Sequence, residues 1–313
     1  MLGVISPTRL VSDRARQGTY SIVARDPRTG ELGVAVQSHW FSVGPIVPWA
    51  RVGVGAVATQ ANAEISYGPR GLELMASGLP APEALMRLLA EDPIAATRQV
   101  AMVDAEGRVA AHTGEGCIPF AGDVAADGVS CQANIMASEA VWPAMLEAYH
   151  ASEGSLRDRL LDALDAAEAH GGDIRGRQSA AIIVVPGEGN PWDTTASLRV
   201  EEHPEPLPEL RRLIALDDAY RLAGMADELT GLGRHGEAAA AFQQASALAP
   251  DNHELLFWGG LGAAHGGELE LGVSLVRRAI ELQPGWGELL PRLPTDVAPS
   301  AATVLARLRE RRG

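Results

Sequence analysis

The sequence predicts an α+β domain built as a two-sheet sandwich, followed by a small all-α domain, and three observations support this fold class. Runs of alternating apolar and polar residues, typical of β-strands, recur through most of the 313-residue chain. Pairs of helix-like segments separate groups of these runs, as expected where helices cover the outer faces of two packed sheets. Beyond a proline-rich stretch the patterns are helical and repeat every 34 residues.

The first domain is predicted to begin with a β-hairpin. Segments 19–25 and 32–38 are typical of strands and flank the turn signal Asp26-Pro27-Arg28-Thr29-Gly30. If Arg25 pairs with Leu32 across this turn, Thr19 lies opposite Ser38. The other predicted elements are a strand over 53–59, helices over 67–76 and 82–90, strands over 99–104, 108–113 and 128–132, helices over 139–151 and 155–170, and a central, apolar strand over 179–185.

The second domain is predicted from a repeated spacing. Residues 203–212 are proline-rich and form a predicted linker between domains over 19–202 and 213–313. Six residues then recur 34 positions later: Gly233, Ala245, Leu248, Pro250, Leu255 and Leu256 match Gly267, Ala279, Leu282, Pro284, Leu289 and Leu290. The spacing resembles that of tetratricopeptide repeats, although Gly259 and Gly272 stand where that pattern prefers larger residues. Two repeats are fewer than the three usually needed for stability, so we expect them to pack on the first domain or on another subunit of a homo-oligomer.

Composition excludes several classes of function. The chain has 40 acidic and 26 basic residues, and every basic residue is arginine, which excludes Schiff-base chemistry on a lysine. A net charge of −14 without a basic cluster argues against nucleic acid or an anionic membrane as a partner. The lack of a membrane-spanning segment or a secretory signal predicts a cytoplasmic protein. Cys117 and Cys131 form neither a disulfide framework nor a zinc pattern, so we expect no metal and no other cofactor.

The boundary between Gly18 and Thr19 is the main candidate for chemistry. It places a threonine at the head of a strand directly after a glycine, the arrangement of an N-terminal nucleophile. If the chain is cut there, the α-amine of Thr19, with an ordinary pKa of about 7.7–8.0, can act as the base for its own hydroxyl. Residues 1–18 would then be a leader. The alternative is a strand that simply begins with threonine, a good strand former.

Longer motifs extend over the first domain. They are the segments 19–38, 47–51, 53–61, 66–72, 132–136 and 175–181. Together they resemble a bacterial family of Ntn-hydrolase-like domains of unknown function, DUF1028, over about residues 19–200. The resemblance implies a four-layer αββα sandwich of the N-terminal nucleophile hydrolase type. It implies no particular substrate.

Three polar residues are predicted to lie beside Thr19. Side chains alternate along a strand, so Ser21 faces the same side as Thr19, and Ser38 lies opposite it. Either serine could hydrogen-bond the Thr19 hydroxyl or amine, or be an ordinary strand serine. His39 is a candidate general base, but its place beside Trp40 and Phe41 also suits a residue that lines a substrate pocket or is packed and inert.

Two similar amide pairs end predicted strands. Gln60-Ala61-Asn62 and Gln132-Ala133-Asn134 could donate to a developing oxyanion or hold a substrate amide, and we assign Asn134 to catalysis and the other three amides to substrate binding. Such amides also cap turns without a catalytic role.

Two further residues are candidates for substrate binding. Arg51 is the candidate cation that lowers the pKa of the Thr19 amine or binds a substrate carboxylate, and the alternative is a surface arginine. Tyr67 opens a predicted helix whose first N–H groups could hold an anionic group, and the alternative is a plain turn into that helix.

Two functions of different classes follow from these features. The first is an amidohydrolase in which Thr19 attacks a small amide substrate and forms an acyl-enzyme. The second is a non-catalytic binding protein that keeps the sandwich and recruits a protein partner through its repeats. An uncut leader would block the Thr19 amine, so the state of residues 1–18 distinguishes the two.

Overall fold

The computed structural model of the protein describes residues 18–310. Apart from Gly18, the predicted leader lies outside these residues. Contacts between Cα atoms divide the chain into a first unit that ends at Arg211 and a second unit that begins at Arg212. Within residues 18–310, no helix is long and apolar enough to cross a bilayer.

The elements combine two antiparallel sheets with helices, which confirms the α+β class. The strands are β1 (Thr19–Arg25), β2 (Leu32–Ser38), β3 (Pro48–Arg51), β4 (Gly55–Ala61), β5 (Arg98–Asp104), β6 (Val109–Thr113), β7 (Gly122–Ala126), β8 (Val129–Asn134), β9 (Ser179–Val185) and β10 (Ala196–Val200). The helices are α1 (Tyr67–Ala76), α2 (Ala81–Glu91), α3 (Val141–Ala151), α4 (Leu156–Ala169), α5 (Pro206–Gly231), α6 (His235–Leu248), α7 (His253–His265), α8 (Leu269–Leu282), α9 (Gly285–Leu289) and α10 (Ala301–Glu310).

The larger sheet has the order β10-β9-β2-β1-β8-β7, and the smaller has the order β3-β4-β5-β6. The predicted hairpin register is confirmed, because Arg25 pairs with Leu32 and Thr19 pairs with Ser38. On its other side β1 pairs with β8, which sets Thr19 opposite Asn134. Thr19 therefore begins an inner strand with a polar residue on each neighbouring strand.

The two sheets pack face to face, and helices cover their outer faces. Small and branched aliphatic residues of β1, β2, β4, β5 and β9 fill most of the layer between the sheets. Helices α1 and α2 pack on the smaller sheet, and α3 and α4 pack on the larger one. Because successive strand residues point to opposite faces, Thr19 and Ser21 point between the sheets and Tyr20 points toward α4, where its hydroxyl donates to Glu168.

Three strands were absent from the sequence prediction, and all three lie at sheet edges. β3 is one edge of the smaller sheet, and β7 and β10 are the two edges of the larger one. Their residues are largely half-exposed, so the strict alternation of a half-buried strand is weak in their sequence. β9, predicted to be central, is indeed an inner strand, between β2 and β10.

The predicted linker is helical from Pro206 onward. Helix α5 begins at Pro206 and continues to Gly231, across the predicted linker over 203–212. Proline is tolerated in the first turn of a helix, since the N–H groups there have no partner within the helix. Pro206 and Pro208 both lie in that turn and mark the start of the helix, and the boundary between the two units, at Arg211 and Arg212, falls within the predicted stretch 203–212.

Up to residue 310 the regular elements of the second unit are all helices, and two glycines allow close contact between α7 and α8. A Cβ on Gly272 would lie 2.4 Å from the carbonyl oxygen of Gly260, and a Cβ on Gly260 would lie 2.8 Å from the carbonyl oxygen of Gly272. Real Cβ atoms essentially never approach backbone this closely. The small residue at position 272, which departs from the tetratricopeptide pattern, is therefore required by the packing of these two helices.

We predict that Gly272→Ala destabilises the second unit by about 1–3 kcal/mol, because the backbone contact outweighs the helix propensity of alanine, worth about 1 kcal/mol. Gly224→Ala in α5 is the matched control, since a Cβ there meets nothing within 4 Å. This control should leave stability unchanged or raise it by up to about 1 kcal/mol. Urea denaturation followed by circular dichroism measures both, and equal effects of the two variants would contradict this account of the helix contact.

Candidate functional site

Thr19 lies at the centre of a buried polar cluster between the sheets. Its side chain is buried, with the residue 1% exposed, and its Oγ1 lies 3.0 Å from Oγ of Ser38. The Ser38 hydroxyl donates its only proton to the carbonyl oxygen of Gly18, at 2.5 Å. The Thr19 hydroxyl must therefore donate to Ser38, and the three groups form one hydrogen-bonded chain.

The Gly18 carbonyl oxygen has a second donor. Nη2 of Arg175 lies 3.0 Å from it. The same guanidinium forms a two-point ion pair with Asp173, with Nη2–Oδ2 at 2.7 Å and Nε–Oδ1 at 3.0 Å. Arg175 is thus fixed in orientation by a carboxylate whose side chain is completely buried.

The loop that carries Asp173 and Arg175 is also tied to the end of β2. The backbone N–H of His39 donates to Oδ2 of Asp173 at 3.3 Å. Within the described chain, Nδ1 of the His39 ring is buried and has no hydrogen-bond partner. His39 thus lies next to the ion pair through its backbone, and its ring forms no Nδ1 hydrogen bond to the cluster.

A network of buried amides holds the backbone of Thr19 from the opposite side. Nε2 of Gln60 and Nδ2 of Asn134 donate to the Thr19 carbonyl oxygen at 3.3 and 3.4 Å. Both amides also donate to Oε1 of Gln99 at 2.8 Å. Gln60 and Gln99 belong to the smaller sheet and Asn134 to the larger one, so these bonds join the two sheets next to Thr19.

Ser21 and Gln132 extend this network along β1. The Ser21 hydroxyl donates to Oε1 of Gln60 at 2.6 Å and accepts from Nε2 of Gln132 at 2.6 Å. Ser130 donates to Gln132 at 3.1 Å. All of these side chains are buried. The hydrogen bonds of the Ser21 hydroxyl are thus with the amides of Gln60 and Gln132 and not with the Thr19 hydroxyl.

A small cavity of about 130 Å³ borders the cluster. Its lining includes Asn62, Asn134 and Cys117, together with Ala61 and Ile135. Ala61 and Ile135 have positive φ angles of 62° and 59°, which non-glycine residues, and β-branched ones above all, rarely adopt. Such strained backbone is often found beside ligands, and here both strained residues line the same cavity.

The cysteine in this cavity is not an activated nucleophile. Burial raises the pKa of the Cys117 thiol to about 11, and burial also raises the pKa of Cys131. Both thiols are therefore protonated near neutral pH. Thr19 and Ser38 remain the hydroxyl groups at the centre of the cluster.

The structure does not bring two of the predicted site residues to Thr19. Arg51 pairs with Gly55 at the far end of β4 from Gln60, about 16 Å away along a strand. The hydroxyl of Tyr67 bonds the Leu88 carbonyl and Asp92 at 3.3 and 3.0 Å, among the helices outside the smaller sheet.

Burial, with Asp92 beside the hydroxyl, raises the pKa of Tyr67. The remaining predicted residues lie in the cluster or border the cavity. They are Ser21, Ser38, His39, Gln60, Asn62, Gln132 and Asn134.

Three residues of the cluster were missed from the sequence. Gln99 lies directly across from Gln60 in the β4–β5 register, so a second glutamine at the matching end of the neighbouring predicted strand could have indicated it. Asp173 and Arg175 lie in the loop before β9, and only the resemblance over 175–181 pointed to that region. Among residues 18–310, no group of His, Cys, Asp and Glu side chains could hold a metal ion.

Comparison with known proteins identifies one family. The model of the family of unknown function DUF1028 matches residues 19–210, more than half of the chain. The crystal structure of protein SPO2555 from Silicibacter pomeroyi, described as a DUF1028 protein, is similar with a TM-score of 0.58 and 32% sequence identity. That match covers 63% of this chain and 84% of the other. No curated protein matches this chain.

We predict that Gln99→Ala lowers the free energy of unfolding of the first unit by at least about 2 kcal/mol. It removes the shared acceptor of Gln60 and Asn134, and each buried donor left unpaired costs about 1–3 kcal/mol. Glu73→Ala on the exposed side of α1 is the control, with an expected change within about 0.5 kcal/mol. A Gln99→Ala protein as stable as this control in urea denaturation would show that the network does not hold the sheets together.

Proposed function

Because the chain belongs to the family of unknown function DUF1028, its function has to be inferred from its own residues, and we propose that it is an N-terminal-threonine amidohydrolase. In this proposal the first unit is an αββα sandwich of the Ntn-hydrolase type. Thr19 attacks the carbonyl of a small amide, an acyl-enzyme forms, and water then releases the product.

The observation that carries the proposal is the chain of hydrogen bonds from Thr19 through Ser38 to the Gly18 carbonyl. It puts the hydroxyl of a strand-initial threonine in contact with a proton acceptor and places the preceding carbonyl next to both. A strand that merely begins with threonine has no need of this arrangement. The neighbouring amides of Gln60 and Asn134 fix the backbone of the same residue.

The proposed base is the α-amine of Thr19. In the uncut chain that nitrogen belongs to an amide, which has no basicity near neutral pH, so the arrangement described here is that of a precursor. Cutting between Gly18 and Thr19 would create the amine next to the hydroxyl that it activates. Ser38 would then hold the hydroxyl in position through the bond that already exists.

The cavity beside Asn134 supports a small substrate. Its volume of about 130 Å³ equals that of about four water molecules in the liquid. The side chain of Asn62 lines this cavity and could bind a substrate amide. In this proposal the protein is cytoplasmic and needs no cofactor, and its second unit binds a protein partner, or another subunit of a homo-oligomer, through tetratricopeptide-like helices.

We predict that the purified wild-type protein begins at Thr19 and that Thr19→Ala abolishes both the cut and amide hydrolysis, because both need the same hydroxyl. The melting temperature should change little, since alanine removes only one hydrogen bond. N-terminal sequencing, intact mass and turnover of an amide library measure these outcomes. Thr29→Ala, an exposed threonine in the β1–β2 turn, is the control and should behave as the wild type.

A different result supports the alternative function. A full-length chain that keeps residues 1–18 and hydrolyses no amide would indicate a binding protein, in agreement with the full burial of Thr19 in the uncut chain. Retention of activity by Thr19→Ala would exclude Thr19 as the nucleophile.

A further inference from the structure

We propose that Ser38 and Arg175 form the carbonyl-binding site at which the protein cuts its own chain between Gly18 and Thr19, with Asp173 as the residue that positions Arg175. This inference rests on the proposed function and names the groups that would perform its first step. It is carried by contacts that the sequence did not indicate, namely those of the Gly18 carbonyl oxygen.

The Gly18 carbonyl oxygen receives two side-chain donors, one neutral and one positively charged. The Ser38 hydroxyl and the Arg175 guanidinium lie 2.5 and 3.0 Å from its oxygen. Donors at about this distance stabilise the negative charge that develops on a carbonyl oxygen under nucleophilic attack. The carbonyl of the bond to be cut therefore already lies in a site suited to an oxyanion.

The chemical step is a transfer of the Gly18 acyl group from nitrogen to oxygen. The Thr19 Oγ1 attacks the Gly18 carbonyl carbon, and the C–N bond to Thr19 breaks. The hydroxyl proton passes to Ser38, which already accepts it in a hydrogen bond, while Ser38 passes its own proton to the Gly18 carbonyl oxygen, to which it already donates. When the tetrahedral intermediate collapses, that proton moves to the Thr19 nitrogen, so the amine leaves neutral and Ser38 regains its original state. Water then hydrolyses the resulting ester, which gives a Gly18 carboxylate and a free Thr19 with its hydroxyl and amine.

Arg175 contributes only while its guanidinium keeps its orientation. Both contacts with Asp173 are charge-assisted, and the Asp173 carboxylate is fully buried. One N–H of Nη2 points to Asp173, and the other is left for the Gly18 carbonyl. Asp173 does not itself contact the reacting atoms, so it is a positioning residue.

The packing around Gly18 explains why residue 18 is glycine. A Cβ there would lie 2.5 Å from Oδ2 of Asp173 and 2.7 Å from Nη2 of Arg175. Any larger residue must displace the ion pair that holds the second donor. The identity of residue 18 is thus linked to the carbonyl site and not only to backbone flexibility.

The test follows the cut in the full-length chain by intact mass after rapid purification or cell-free synthesis. Removal of one such donor typically costs about 100-fold to 1000-fold in rate, so we expect Arg175→Ala to cut at least about 100-fold more slowly than the wild type. Gly18→Ala and Asp173→Asn should also slow the cut. The matched control is Arg177→Ala, two residues along the same loop and paired with Glu168 and Glu205, which should cut at the wild-type rate.

Chemical rescue separates a direct role from a structural one. Added guanidinium ion, at concentrations too low to unfold the protein, should restore part of the rate of Arg175→Ala and leave Arg177→Ala unchanged. A wild-type rate for Arg175→Ala overturns this inference but leaves the proposed function intact. Slow cutting by Arg175→Ala and Arg177→Ala alike, without rescue, also overturns the inference. A wild-type chain that is never cut overturns both proposals.

Discussion

The hydrogen bonds among the buried side chains of Gln60, Gln99 and Asn134 are the constraint on which the arrangement around Thr19 depends. Elsewhere the layer between the sheets is filled by small aliphatic residues, which pack without directional requirements. At the Thr19 end the amides must satisfy one another, because a buried polar group without a partner is costly. This requirement fixes the relative position of the two sheets at that end and, through the Thr19 carbonyl, the position of the first residue of β1.

The surroundings of Thr19 are divided between two sets of groups. The amides donate to the carbonyl oxygen of Thr19. Ser38 accepts a hydrogen bond from the Thr19 hydroxyl, and Ser38 and Arg175 both donate to the Gly18 carbonyl oxygen. The N–H groups of these amides already donate to the Thr19 carbonyl and to Gln99. They therefore hold the backbone and have few N–H groups left to donate to a reacting group. The groups that remain for chemistry are the hydroxyls and the guanidinium. This division explains why Gln60, Gln132 and Asn134 are better suited to positioning than to reaction.

Sequence reasoning succeeded where local rules determine the structure. The tight turn over 26–30 fixed the register of the hairpin, and with it the pairing of Thr19 with Ser38. The prediction missed three of the four edge strands, β3, β7 and β10, whose largely half-exposed residues lack a clear pattern, and it missed the charged partner of the site. Arg51 was the candidate cation of the site, yet it pairs with Gly55 at the end of β4 that is far from Gln60. Arg175 comes from a loop more than 150 residues away, and only the folded chain brings it to Gly18.

The carbonyl site has one property that does not depend on the leader: both of its donors belong to the part of the chain that remains after a cut. Ser38 ends β2, and the loop of Arg175 is tied to the same strand end through the His39 N–H and Asp173. Removing Gly18 would leave the space that it fills, with both donors still facing it. A substrate amide entering that space would therefore meet the same donors as the Gly18 carbonyl. The closeness of Asp173 and Arg175 to the α-carbon of Gly18 would then favour acyl groups that carry no bulky substituent next to the carbonyl.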